Sequence, residues 1–174
     1  MDVKKLFMIG GASGTGKTAI CNQIAGKIEG LIVLDGDVIW SCGNFTPEKT
    51  EAFYGFMLRL CAEIAKSGAS VAVFHAGAGV PANIESCVER KLFDSVHYMG
   101  LHCSDDELEK RLRARSEWQN QNADGFINAM KGFNAMYHFY EQDMYKMAKL
   151  DTSAISLEES SRQVMDWIIS HIQK

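Results

Sequence analysis

Lys17 and Thr18 close the run Gly11-Ala12-Ser13-Gly14-Thr15-Gly16-Lys17-Thr18, whose residue types are those that hold phosphate. Glycines let the backbone curl, so that successive N–H groups converge on one anion at the start of a helix. A lysine at this point reaches β- and γ-phosphates, and a threonine hydroxyl is a hard oxygen for Mg²⁺. The spacing fits the phosphate-loop pattern GxxxxGK[ST] at every fixed position. Gly11 to Thr18, with Ala19 behind them, are therefore predicted to bind a nucleotide, with ATP and Mg²⁺ as the expected pair.

Asp35-Gly36-Asp37 is the second group with chemistry in it, directly after the apolar run Leu31-Ile32-Val33-Leu34. Two carboxylates facing bound phosphates suit two roles. One can hold a metal ion's water shell, and the other can accept a proton from an attacking hydroxyl. The same tripeptide also reads as an ordinary turn. Arginines form the third group. Glu107/Arg111 and Glu109/Arg113 are both i,i+4 pairs in the favourable order, so Arg113 reads as a solvated ion pair. Arg111 and Arg115 share a helix face and could converge on phosphate oxygens, whose charge grows in a transition state.

These groups need elements to carry them, and the chain supplies strand and helix in alternation, the pattern of a parallel sheet covered on both faces. Leu6-Phe7-Met8-Ile9 is the strand before the loop, and Ile20, Ile24 and Ile28 mark the helix after it. The Leu31–Leu34 strand is expected beside that first strand. Thr46-Pro47 reads as an N-cap and first-turn proline for a helix to Lys66, with Phe53, Phe56, Met57, Leu60 and Ile64 as its stripe. A strand from Ser70 to Phe74 runs into His75-Ala76-Gly77-Ala78-Gly79, and Pro81 opens a helix to about Phe93. A strand from Val96 to His102 precedes the capping box Ser104–Glu107 and a helix that turns Leu108 and Leu112 inward. Asp124-Gly125 opens a helix striped by Phe126, Met130, Phe133, Tyr137 and Tyr140. After the short loop Asp151-Thr152-Ser153, a second capping box, Ser156–Glu159, starts a last helix carrying Val164, Ile168 and Ile172.

The 174 residues, 47% hydrophobic and 23% charged, are ordinary for one globular domain spanning 1–174. A net charge of −4 argues against a nucleic-acid partner. Five cysteines without CxxC spacing, a short glycine-rich start and the lack of a membrane-length apolar run predict free thiols and a cytoplasmic protein.

With these residues in view, the chain resembles the small P-loop kinases, a group that includes gluconate, shikimate and adenylylsulfate kinases and chloramphenicol phosphotransferase. The resemblance rests on GASGTGKT, on LDGD after the second strand, and on the arginine-rich helix before a polar insertion, Ser116 to Asn122. It implies a P-loop NTPase fold, a three-layer α/β/α sandwich with a five-stranded parallel sheet and a small helical lid at about 111–126. It implies transfer of the γ-phosphoryl group of MgATP to a hydroxyl of a small molecule. By position, Asp37 would lie against the acceptor hydroxyl, Asp35 near Mg²⁺, Arg111 and Arg115 in the lid, and Asp151-Thr152 beside the adenine.

The departures shape the expectation further. No carboxylate follows the third strand, where His75 stands; it reads equally as a substrate contact and as a structural histidine. Around the expected acceptor site, Trp40, Phe45, Phe53 and Tyr54 outnumber the nearest basic residues, Lys49 and Arg59. That balance points to a less charged acceptor such as a nucleoside, an aminated sugar or a drug-like alcohol, with Phe53 and Phe56 read as core. Phosphorylation of a nucleoside or nucleoside monophosphate, and nucleotide-dependent regulation without turnover, are the alternative readings.

Overall fold

The computed structural model describes residues 5–115, 123–141 and 145–173. The expected lid tip, Trp118 to Asn122, lies outside them. Five strands form one all-parallel sheet: β1 (Lys5–Gly11), β2 (Leu31–Asp35), β3 (Ser70–Phe74), β4 (Ser95–His102) and β5 (Met147–Asp151), in the order β2-β3-β1-β4-β5. Residues of β1 from Leu6 to Gly11 are all buried, as expected of a central strand covered on both faces. Side chains alternate across the sheet. Leu6 and Met8 pack with the helix α3 (Thr50–Ala65), through Phe53, Met57 and Leu58. Phe7 and Ile9 pack with α1 (Lys17–Ile24) and α7 (Leu157–Ile172), through Ile20, Ile24, Val164 and Ile168.

The remaining helices are α2 (Gly36–Cys42), α4 (Pro81–Glu85), α5 (Asp105–Arg113) and α6 (Asp124–His138). Both capping boxes form: Ser104 Oγ accepts from the Glu107 N–H, and Ser156 Oγ from the Glu159 N–H. A smaller core of Leu108, Leu112 and Ile127 joins α5 to α6. No described helix is long and apolar enough to cross a membrane.

Five points differ from the expectations. β2 does not lie beside β1, because β3 intervenes. Residues 36–42, which carry no helical stripe, form α2 because Asp35 caps them: its Oδ1 accepts from the Asp37 and Val38 N–H groups. The helix predicted from Thr46 begins instead as a 3₁₀ turn, Pro47–Lys49, without a side-chain cap, and α3 follows. Its buried face runs through Tyr54, Leu58, Cys61 and Ala62, which leaves Phe56 exposed. The helix predicted from Pro81 to Phe93 is split into α4 and a 3₁₀ turn, Val88–Leu92, because Cys87 is extended.

One tie joins α6 to the carboxyl edge of the sheet. Tyr137, fully buried, donates its hydroxyl to the Ala76 carbonyl at 2.6 Å. Tyr137→Phe leaves that carbonyl with less hydrogen bonding in a dry environment. Urea denaturation should show a loss of about 1–2 kcal/mol at unchanged slope. An unchanged midpoint would mean that the hydroxyl does not help hold α6 in place.

Candidate active site

In an open parallel sheet, ligands gather beyond the carboxyl ends of the strands. The phosphate loop, the Asp35-Gly36-Asp37 run, His75 and Asp151-Thr152 all stand at that edge. The loop after β1 curls through Gly14 at φ 95° and Gly16 at φ 99°, a left-handed backbone that side chains resist. Thr15 is fully buried and turns its hydroxyl inward to the Ala12 carbonyl, so its role is to brace the loop. Thr18 and Ala19 are exposed in the first turn of α1.

Lys17 is 5% exposed, and its Nζ lies 3.3 Å from Asp37 Oδ2. That contact spans β3, and the three residues of the Asp-Gly-Asp run explain how. Asp35 caps α2 at the end of β2. Gly36 lets the new helix start against the end of β3, where a Cβ would lie 2.8 Å from the His75 Cβ. Asp37, one residue into the helix, then reaches across β3, and its Oδ1 accepts from the Ala76 N–H at 3.0 Å. The carboxylate thus stands near the position where a residue after β3 would have placed one.

His75 lies beneath it, 7% exposed, with Nε2 3.8 Å from Asp37 Oδ1. The Gly77 N–H donates to His75 Nδ1 at 3.3 Å, which places the proton of the neutral ring on Nε2, facing the carboxylate. Burial pushes the His75 pKa down to about 4, against the pull of Asp37 and with the repulsion of Lys17. The ring is neutral at pH 7. Trp40 is partly buried and tilted against His75, with ring centroids 5.6 Å apart, and meets Phe53 edge-on at 4.9 Å.

Two clefts flank this arrangement, one beside the loop and one beyond Asp37. One, of about 240 Å³, is lined by Gly16, Ala19, Arg111, Thr152, Ile155 and Leu157 among others. Arg111 is held there from three sides: by Glu107, by the Gly14 carbonyl at 3.3 Å, and by Thr152 through its carbonyl at 2.7 Å and its Oγ1. Thr152 Oγ1 lies 3.1 Å from the Thr15 carbonyl, so Arg111 and Thr152 together fasten the back of the loop. Asp151 is turned away, accepting from Ser153, which holds its carboxyl below the usual range. The second cleft, of about 550 Å³, lies beyond Asp37 and His75. Arg111 lines the first cleft, while Asp37, Trp40 and His75 line the second. Arg115 follows α5 on the surface, and Arg113 pairs with Glu109 as its spacing predicts.

Phe133 and Asn83 also line the second cleft, and sequence reasoning missed both as site residues. Phe133 was read only as part of the stripe of its helix. Its one signal is that it stands off the Ile127–Asn134–Tyr137 face that α6 buries. Asn83, whose amide donates to the Gly77 carbonyl at 2.9 Å, carries no sequence signal at all.

No protein-family model and no curated protein sequence matches this chain. Solved structures do. An unliganded sugar kinase from Janibacter sp. HTCC2649 superposes with a TM-score of 0.72 at 17% identity, over 95% of this chain and 94% of that one. A gluconokinase from Sinorhizobium meliloti 1021 gives 0.66 at 15%, over 99% and 94%. The APS kinase of Mycobacterium tuberculosis, in complex with AMPPNP and APS, gives 0.57 at 19%, over 97% and 99%. At such identities the likeness is one of fold: the α/β sandwich of the small P-loop kinases, with its five-stranded parallel sheet.

The buried neutral His75 has a consequence for acid stability. Its pKa is lower folded than unfolded, so between pH 6.5 and 4 the unfolded chain binds the extra proton, and stability falls as pH falls through that window. The loss from this group is at most about 3 kcal/mol. His75→Gln should flatten the curve of unfolding free energy against pH there without abolishing its slope, since burial lowers the His102 pKa as well. An identical slope in the variant would assign the acid loss elsewhere.

Proposed function

We propose that this chain is a small-molecule kinase, which transfers the γ-phosphoryl group of ATP to an alcohol. The observation that supports it best is the Lys17–Asp37 contact at 3.3 Å, which sets a carboxylate between a phosphate-binding loop and an open cleft. A protein that only binds nucleotide needs no acceptor-sized cleft beside that carboxylate.

In this reading the N–H groups from Gly11 to Thr18 cradle the phosphates, and the adenine lies in the cleft of Ala19, Arg111 and Thr152. Lys17 exchanges its contact with Asp37 for the β- and γ-phosphate oxygens. Asp37, released, accepts a hydrogen bond from the acceptor hydroxyl. The hydroxyl oxygen forms a bond to the γ-phosphorus as the bond from that phosphorus to the β,γ-bridging oxygen breaks. ADP departs and the proton passes to Asp37. His75 Nε2–H faces the same carboxylate from 3.8 Å, and its dipole favours the charged form. Arg111 and Arg115 supply positive charge from α5 and the residues after it, Arg111 on the nucleotide side.

Two groups at this edge of the sheet would suit a Mg²⁺ ion. The Thr18 hydroxyl and the Asp35 carboxylate are hard oxygen donors, which that ion prefers. Oδ1 of Asp35 caps α2, leaving Oδ2 for the ion's water shell. When bound, Mg²⁺ offsets phosphate charge and orients the chain of phosphates.

Two substitutions test these roles. Asp37→Asn keeps the shape but removes the base, and kcat should fall about a hundredfold while ATP still binds. The same change should weaken folding in the absence of nucleotide, because it leaves the buried Lys17 without its counter-charge. Asp35→Asn should instead raise the Mg²⁺ concentration for half-maximal rate. Magnesium titrations at saturating ATP read both. If Asp35→Asn abolishes turnover at every Mg²⁺ level while Asp37→Asn merely shifts the titration, the two carboxylates have exchanged roles.

A further inference from the structure

The cleft beyond Asp37 has two unlike ends. One is polar: Asp37, the neutral His75, the Tyr54 hydroxyl 3.4 Å from His75 Nδ1, and Asn83. The other is apolar, with Trp40, Pro47 and Phe133 along it. Trp40 is braced by Phe45, Phe53 and His75, so its ring is a fixed wall. At about 550 Å³ the space falls within the range that encloses drug-sized ligands.

Charge narrows the choice of ligand. Among the described residues, Asp37 is the one formally charged group lining the cleft, and no lysine or arginine lines it. Of the two basic residues nearest in sequence, Arg59 is paired with Glu89, and Lys49, exposed between Pro47 and Thr50, is not part of the lining. Arg111 belongs to the other cleft. Residues 116–122, Ser-Glu-Trp-Gln-Asn-Gln-Asn, contain no lysine or arginine to bring in. An anionic ligand would face a carboxylate and the phosphates of ATP, with Lys17 already engaged by those phosphates. A cationic ligand fares little better: Asp37, freed by Lys17 when ATP binds, is taken up by the acceptor hydroxyl and the Ala76 N–H, and no second carboxylate lines the cleft to pair with a cation.

Resting on the kinase reading above, we infer that the acceptor is an uncharged alcohol carrying a flat apolar or aromatic ring. Its hydroxyl lies at Asp37 and its ring along Trp40 and Phe133, with offset or edge contacts between the rings. The transfer balances as before: the hydroxyl oxygen gains the phosphoryl group, ADP leaves and Asp37 takes the proton. Acids of sugar size and phosphorylated acceptors are excluded by charge, and bare polyols gain less from the aromatic wall than a flat ring does.

Three matched probes separate these terms: thymidine, thymidine 5′-monophosphate and 2-deoxyribose. Titrated calorimetrically into the full chain saturated with Mg²⁺ and AMPPNP, thymidine should bind at least tenfold more tightly than either of the others. Trp40→Ala should weaken thymidine at least tenfold and leave AMPPNP affinity unchanged. Ser41→Arg, which places a cation at the rim of the cleft, should narrow or reverse the gap between thymidine and its monophosphate. Tighter binding of the monophosphate or of deoxyribose to the native chain, or no binding of thymidine at millimolar concentration, overturns the inference. ADP release with ATP and thymidine is read separately. Selective binding without ADP release would sustain the ligand class and sink the kinase reading, whereas ADP release stimulated only by charged acceptors would do the reverse.

Discussion

The arrangement depends on one carboxylate reaching across a strand. A parallel sheet ordered β2-β3-β1-β4-β5 keeps the end of β2 a full strand away from the phosphate loop. Lys17, buried by the packing of α1, needs a counter-charge, and neither β3 nor the residues just after it provide one. Asp35, Gly36 and Asp37 each contribute one part of the answer. The first caps a helix, the second lets that helix abut β3, and the third crosses to the lysine. The crossing succeeds because the Ala76 N–H holds the other oxygen of the carboxylate. Ala76 is steadied in turn from below by Tyr137.

That chain of supports explains why chemistry and packing cannot be separated at this edge. Ala76 offers its N–H to Asp37 and its carbonyl to both the Gly11 N–H and Tyr137. The loop, the carboxylate and α6 therefore share one residue's backbone. On the other flank, Thr152 and Arg111 perform the same service for the back of the loop. A loop of small residues, which alone has little to hold it in shape, is fastened from both sides by groups remote in sequence.

What could be read in the chain beforehand was local. The phosphate loop was legible because its geometry follows from which positions tolerate left-handed backbone, and both capping boxes because a cap acts over three residues. A parallel sheet followed from alternation, and its five strands from the family resemblance. Which strands neighbour one another did not, because that is settled by crossovers far apart in sequence; hence β2 was expected beside β1. The helix α2 was hidden behind its own cap, since Asp35 invited reading as a ligand and Val38, Ile39 and Trp40 are modest helix formers. Arg111 was expected in the lid, but the structure ties it to the back of the loop through Thr152, forty-one positions away. Phe133 was concealed by a stripe rule that cannot tell a core wall from a cleft wall.

The thiols of this chain are unequally placed, and that gives it a handle. Cys21, Cys61, Cys87 and Cys103 are buried, and burial pushes the thiols of Cys21 and Cys61 up to about 12 and that of Cys103 up to about 11. Cys42 alone is exposed, at the last turn of α2, in the helix that bears Asp37 and Trp40. A maleimide dye or nitroxide added to the native chain should therefore attach at a single place, without mutagenesis. It would sit on the element whose movement toward or away from the phosphate loop is the one a spectroscopist would most want to follow.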